Sequence, residues 1–119
     1  MDKRLLDKKV IVTGGSRGIG AGIVERLFNE GAEIIIADIK KDLANKLIEN
    51  LDTNKVTFFE TNLSEENEII KLIDFAKSKW GLLDIFINNA GIEDGFMLPD
   101  QSYERYRKTM KVNLDAPFL

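Results

Sequence analysis

The stretch Val10-Ile11-Val12-Thr13-Gly14-Gly15-Ser16-Arg17-Gly18-Ile19-Gly20 decides how the chain is to be read. Its first three residues are all β-branched, the pattern of a short strand buried on both faces, and the run ends directly in a glycine turn. Beyond the turn, Ile19, Ile23, Val24, Leu27 and Phe28 recur at helical spacing, and Gly31 stands where a left-handed cap would close the helix. In that setting each glycine acquires a role. Gly14 makes the tight turn, Gly18 lets a pyrophosphate approach the backbone, and Gly20 lets the helix lie close to the strand. The N–H groups that open the helix would then face the phosphates. The spacing is Gly-x-x-x-Gly-x-Gly, which departs from the commoner Gly-x-Gly-x-x-Gly fingerprint.

Working outward, Glu33-Ile34-Ile35-Ile36-Ala37-Asp38 forms a second apolar run, followed by a helical pattern through Leu43, Leu47, Ile48 and Leu51. Asp38 closes that strand 18 residues beyond Gly20, near the separation at which an acid meets the adenosine ribose. A carboxylate there accepts from both ribose hydroxyls and repels a 2'-phosphate, so it favours NAD over NADP. Arg17, with Lys40 and Lys41 nearby, pulls the other way. Asp38 is weighted more heavily because it sits at the strand end itself, although Asp also serves as a plain turn or cap residue.

Two more units follow. Val56-Thr57-Phe58-Phe59 leads into a helix with Ser64 as its N-cap, Glu65 and Glu66 near its positive end, and Ile69, Leu72, Ile73, Ala76 and Trp80 as its inner stripe. Leu83-Asp84-Ile85-Phe86-Ile87 is the fourth strand and ends in Asn88-Asn89-Ala90-Gly91. A polar stretch from Gly91 to Gln101 reads as a surface loop, and the helix after it carries Tyr103, Tyr106 and Met110, one face of which is expected to pack on the sheet. Strands alternating with helices imply an α/β protein with a doubly wound parallel sheet. No linker, repeat or low-complexity segment divides residues 1–119.

Composition narrows the function classes. With 17 Lys+Arg against 20 Asp+Glu, the net charge of -3 gives no field that would draw the chain onto nucleic acid or an anionic membrane. No run approaches the roughly 20 apolar residues of a membrane span. Cysteine and histidine are both absent, which removes thiolate and imidazole catalysis and the usual zinc sites, so no metal is expected. The opening Met1-Asp2-Lys3-Arg4-Leu5-Leu6-Asp7-Lys8-Lys9 lacks the apolar core of a secretory signal, and a cytoplasmic location is expected.

From about Lys8 to Leu119 the chain resembles the short-chain dehydrogenase/reductase family. The resemblance rests on Thr13 to Gly20, on Asp38, on Asn62-Leu63 after the third strand, on Asn88-Asn89-Ala90-Gly91 after the fourth, and on Val112-Asn113-Leu114. It implies a Rossmann-type sheet of strand order 3-2-1-4 with flanking helices, incomplete at about four strands. The fourth strand would then be a bare edge that favours association. It implies a cofactor site made by Gly14, Ser16, Arg17, Gly18, Ile19, Gly20, Asp38, Asn62, Leu63, Asn89, Ala90 and Gly91. Asn62 would offer donor and acceptor groups to the adenine edge, where many relatives carry Asp. The small Ala90 and Gly91 would admit the cofactor, and the paired amides would tie neighbouring strands together. Asn113 resembles the family's catalytic asparagine, which holds a water behind the catalytic lysine.

The family moves a hydride between nicotinamide and a carbonyl or alcohol carbon, using a serine and a Tyr-x-x-x-Lys pair. The lysine is needed because an unperturbed tyrosine, pKa about 10, is a poor base at neutral pH. Neither tyrosine here fits: Arg107 follows Tyr103 by four residues and Met110 follows Tyr106 by four. The expectation is the cofactor-binding amino-terminal half of an NAD-dependent enzyme, inactive alone, with a small carbonyl or alcohol substrate and a homo-oligomeric parent. A non-catalytic NAD-binding module or a nonfunctional truncated remnant is the alternative.

Overall fold

Each apolar run becomes a strand and each periodic stretch a helix. The computed structural model describes residues 3–51, 53–90 and 103–110. In chain order the elements are β1 (Lys9–Thr13), α1 (Gly18–Asn29), β2 (Glu33–Asp38), α2 (Lys41–Leu51), β3 (Val56–Glu60), α3 (Glu66–Trp80), β4 (Ile85–Ile87) and α4 (Tyr103–Met110). The strands form one sheet of order β3-β2-β1-β4. All pairings are parallel, with Val10 opposite both Ile34 and Ile85, and Ile34 opposite Val56. The expected doubly wound order is therefore present.

The continuous apolar runs in β1 and β2 follow from their central position. Val10, Ile11 and Val12 and Ile34 to Ala37 are all fully buried, since helices cover both faces. Successive residues feed opposite sides. Val10, Val12, Ile34 and Ile36 meet Val24 of α1 and Ala44 of α2. Ile11, Ile35 and Ala37 meet Leu72 and Ala76 of α3 on the other face. The three residues of β4, by contrast, are only half-buried at the end of the sheet.

Several local expectations are corrected. The fourth strand begins at Ile85, and Leu83 is exposed while the Asp84 carboxylate accepts the Lys9 N–H at 2.8 Å. Ser64 does not cap α3. The cap position is Glu65, with no side-chain cap bond, because the Ser64 hydroxyl is turned to Asn62 Oδ1 at 2.6 Å. Ile73 lies outside the inner stripe at 42% exposure, and Phe75 takes the inner place, stacked on Phe59 with ring centroids 4.4 Å apart. Tyr103 of α4 is 75% exposed and does not pack on the sheet. The Gly91 to Gln101 loop and the side chain of Tyr106 lie outside the described residues.

A strap of residues ahead of β1 ties down the α1–β2 corner. Leu5 N–H donates to the Glu30 carbonyl at 2.8 Å and Asp7 N–H to that of Gly31 at 3.2 Å. The Leu5 side chain packs against the α1/α2 core. Glu30 itself is buried, and burying a lone carboxylate would be costly. Its oxygens accept from Arg4 N–H at 3.3 Å, Arg4 Nε at 3.3 Å and Arg4 Nη2 at 3.1 Å. Arg26, one helical turn earlier, adds Nε at 3.2 Å and Nη2 at 3.1 Å. The Arg4 side-chain bonds chiefly, then its backbone N–H, lower the carboxyl pKa from 4.5 to about 2.

A carboxylate with a depressed folded-state pKa stabilises the fold above its unfolded pKa and loses that contribution as pH falls through the folded one. Glu30→Gln is therefore expected to lower Tm at neutral pH, with the gap to the parent narrowing between pH 4.5 and about 2. Melts followed by the fluorescence of the single tryptophan, Trp80, measure it. A gap independent of pH would remove the ionic role assigned to Glu30.

Candidate functional site

In a parallel sheet the carboxyl ends of all strands lie along one edge, and a crevice opens where chain order reverses beside the first strand. Here that point lies between β1 and β4. Thr13, the last residue of β1, is 2% exposed and joins the two strand ends. Its hydroxyl oxygen accepts Asn89 N–H and Ala90 N–H, each at 3.0 Å, and donates to the Ile87 carbonyl at 3.3 Å. Asn89 Nδ2 completes the clasp by donating to the Gly14 carbonyl at 3.1 Å. The strand-tying role thus falls to Asn89, while Asn88 is exposed.

The clasp leaves no room for a side chain at Gly14 or at Gly20. Gly14 has φ +66°, and a Cβ there would stand 2.9 Å from Ala90 Cα. At Gly20 a Cβ would overlap the Gly14 carbonyl and come within 2.6 Å of Asn89 Nδ2. The close approach that Gly20 permits is thus between helix and turn.

The start of α1 is built to face an anion. Arg17 is the extended N-cap, and the first turn holds no acidic residue. Ala21 N–H reaches the Arg17 carbonyl, whereas the N–H groups of Gly18, Ile19 and Gly20 have no acceptor among the described residues.

Asp38 closes the other side. Its Oδ2 accepts Ser16 N–H at 3.3 Å, and its Oδ1 accepts Ile39 N–H at 2.6 Å and Lys40 N–H at 3.2 Å. The carboxylate therefore fixes the β2 end and the glycine turn against each other. Ser16 is buried, and its hydroxyl has no hydrogen-bond partner among the described residues. Such a buried hydroxyl requires a partner that the described residues do not supply.

A cavity of about 520 Å³ joins these parts. Of the residues expected from sequence, it is lined by Gly14, Arg17, Gly18, Ile19, Gly20, Asp38, Asn62, Leu63, Asn89 and Ala90. Ser16 reaches the site through its bond to Asp38. Ala37, Ile39, Lys40 and Thr61 also line it. Sequence reasoning did not assign Ala37, Ile39 and Thr61 to the site, although each adjoins a residue that it did assign, and it weighed Lys40 only as a cation near Asp38. Gly91 and Asn113 lie outside the described residues. Asn62 differs in detail from expectation, because its side-chain oxygen is engaged by Ser64 N–H and the Ser64 hydroxyl. Among the described residues there is no cluster of metal-ligating side chains, and no helix long and apolar enough to cross a membrane.

A parallel 3-2-1-4 sheet with helices on both faces and a glycine turn at its switch point defines a Rossmann-type α/β protein. The model of the family described as short chain dehydrogenase matches residues 8–119, and the chain belongs to that family. Tropinone reductase-like 2 of Erythroxylum coca is 40% identical over 121 residues, covering 98% of this chain and 44% of the relative. The NADP-dependent (R)-specific alcohol dehydrogenase of Lentilactobacillus kefiri is 34% identical, with coverages of 99% and 47%. Among solved structures, a blue fluorescent protein from a metagenomic library in complex with NADPH superposes with a TM-score of 0.88. It is 32% identical, with coverages of 97% and 49%. The chain spans less than half the length of these two curated relatives.

Thr13→Val keeps the shape but leaves the Ala90 N–H without its acceptor and the Asn89 N–H with the Ile87 carbonyl alone, at 3.1 Å. Urea unfolding is expected to show a loss of about 1–3 kcal/mol, the cost of a donor left unpaired. Gly20→Ala is expected to cost about 1–3 kcal/mol by overpacking. A change within about 0.5 kcal/mol in either variant would mean that the clasp does not hold the crevice together.

Proposed function

We propose that the crevice holds a nicotinamide dinucleotide, with NAD preferred to NADP, and that the chain is the cofactor-binding half of a short-chain dehydrogenase/reductase. The observation that carries the reading is the Asp38 carboxylate, held at the cavity wall by Ser16 N–H, beside a buried Ser16 hydroxyl with no partner. The pyrophosphate would take the open N–H groups of Gly18 to Gly20, and the adenosine ribose would hydrogen-bond to Asp38. Bound nicotinamide would exchange a hydride with a small carbonyl or alcohol substrate. Family membership supports this chemistry.

This sequence contains no Tyr-x-x-x-Lys. On this reading the 119 residues bind cofactor without turning over substrate, and the remainder of the site comes from further polypeptide. The parent enzyme would be a homo-oligomer, with the half-buried β4 edge among the surfaces that further chain covers.

NADP is the second reading. Arg17 is exposed at the cavity, no ion pair occupies it among the described residues, and the solved relative carries NADPH. Asp38 is favoured as the deciding group because its two oxygens sit on the β2 end, where a 2'-phosphate would meet a like charge.

Calorimetric titration with both dinucleotides tests the choice. NAD is expected to bind more tightly than NADP, and Asp38→Ala to weaken NAD roughly tenfold or more. Arg17→Ala should leave NAD nearly unchanged. Tighter NADP binding by the parent protein, with Arg17→Ala removing it, would establish the second reading instead.

A further inference from the structure

Beyond Asp38 the cavity wall runs through Ile39 and Thr61 to Asn62 and Leu63. A nucleoside whose ribose lies at Asp38 would put its base there, between the exposed Ile39 and the half-buried Leu63. What the wall can read in a purine depends on which polar atoms of Asn62 remain open.

Most are already used. Asn62 N–H donates to Glu68 Oε1 at 3.0 Å, and the Asn62 carbonyl accepts Glu65 N–H at 3.1 Å. Its side-chain oxygen lies 3.0 Å from Ser64 N and 2.6 Å from Ser64 Oγ. The amide orientation is fixed by the first of these contacts, because a backbone N–H can only donate and the flipped amide would set two donors against each other. The two lone pairs of Oδ1 are both taken. Only Nδ2, a donor, has no partner among the described residues. Thr61 turns its hydroxyl to the Phe59 carbonyl at 3.1 Å. Among the described residues the Leu63 N–H and carbonyl have no hydrogen-bond partner, so its main chain does not favour either sense.

Adenine and hypoxanthine differ at position 6. Adenine presents an amino group, which needs an acceptor, and hypoxanthine presents a carbonyl, which needs a donor. We propose that Asn62, locked by Ser64 as a donor, reads the base without requiring a 6-amino group, so that the site accepts 6-oxopurine and 6-aminopurine dinucleotides alike. This rests on the dinucleotide reading of the crevice. Asn62 and Ser64 are then specificity-determining residues. A carboxylate at position 62 would invert the pattern, accepting from the 6-amino group and repelling a 6-carbonyl. Loss of the Ser64 hydroxyl would free one lone pair of Oδ1 for the same use.

The test is calorimetric titration of the protein with NAD and with nicotinamide hypoxanthine dinucleotide. The parent protein is expected to bind the two within about threefold. Asn62→Asp is expected to favour NAD by about tenfold or more, the worth of a charge-assisted hydrogen bond, and Ser64→Ala by about three- to tenfold. Ser64→Ala removes one exposed-side hydrogen bond and keeps the readout if Asn62→Asp fails to fold, which thermal melts of both variants report. A parent protein that binds both ligands but favours NAD tenfold or more would overturn this inference alone and leave the dinucleotide reading intact. Failure to bind either dinucleotide would overturn both.

Discussion

Everything at the carboxyl edge of this sheet depends on one hydroxyl. Thr13 ends the central strand, and its oxygen takes the N–H groups of Asn89 and Ala90 while its proton goes to the Ile87 carbonyl. That gives the Ala90 N–H its acceptor and adds a second partner to the Asn89 N–H and the Ile87 carbonyl, which also meet each other at 3.1 Å. It also brings the β4 end so close to the glycine turn that Gly14 and Gly20 must lack a Cβ. The motif Thr-Gly-x-x-x-Gly-x-Gly is therefore a packing solution before it is a ligand site, and the open helix start is what the packing leaves exposed.

The charges are arranged around that frame in two separate places. At the amino edge, Glu30 is buried among Arg4 and Arg26 and locks the strap to the α1–β2 corner. At the other edge, Asp38 faces backbone N–H groups and the cavity. Both carboxylates accept main-chain hydrogen bonds, yet only Asp38 lines a space able to receive a ligand. The first is spent within the fold, and the second remains available to hydroxyl groups brought by a ligand.

Much of this was legible in the residues. β-branched runs in β1 and β2 can only be buried from both sides, so their strand character was fixed by side-chain shape and polarity. Asp38 was found by its distance from the glycine turn and Asn89 by its place at a strand end. Two of the misreadings share a cause. Ser64 and Ile73 each fit a local pattern, and each was displaced by a partner that the pattern does not encode, while Leu83 and Tyr103 fit one and are exposed. The Ser64 hydroxyl is turned to Asn62, to which it donates, and away from the N–H donors of the helix start. Ile73 lost its place to Phe75, which had Phe59 to stack on.

The sequence by itself determined the alternation of strands and helices, the glycine turn, the acid after β2 and the lack of cysteine and histidine in these 119 residues. These are properties of residue type and spacing, and local sterics and hydrophobic periodicity suffice to set them. Only the tertiary structure decided that Thr13 and Asn89 meet, that Glu30 is the buried anchor of the strap, that Ser16 keeps an unpartnered hydroxyl, and that Asn62 presents a donor. Each of those depends on residues far apart in the chain or on a choice between competing hydrogen-bond partners. That choice is made by the geometry of the packed sheet, which no local stretch of sequence specifies.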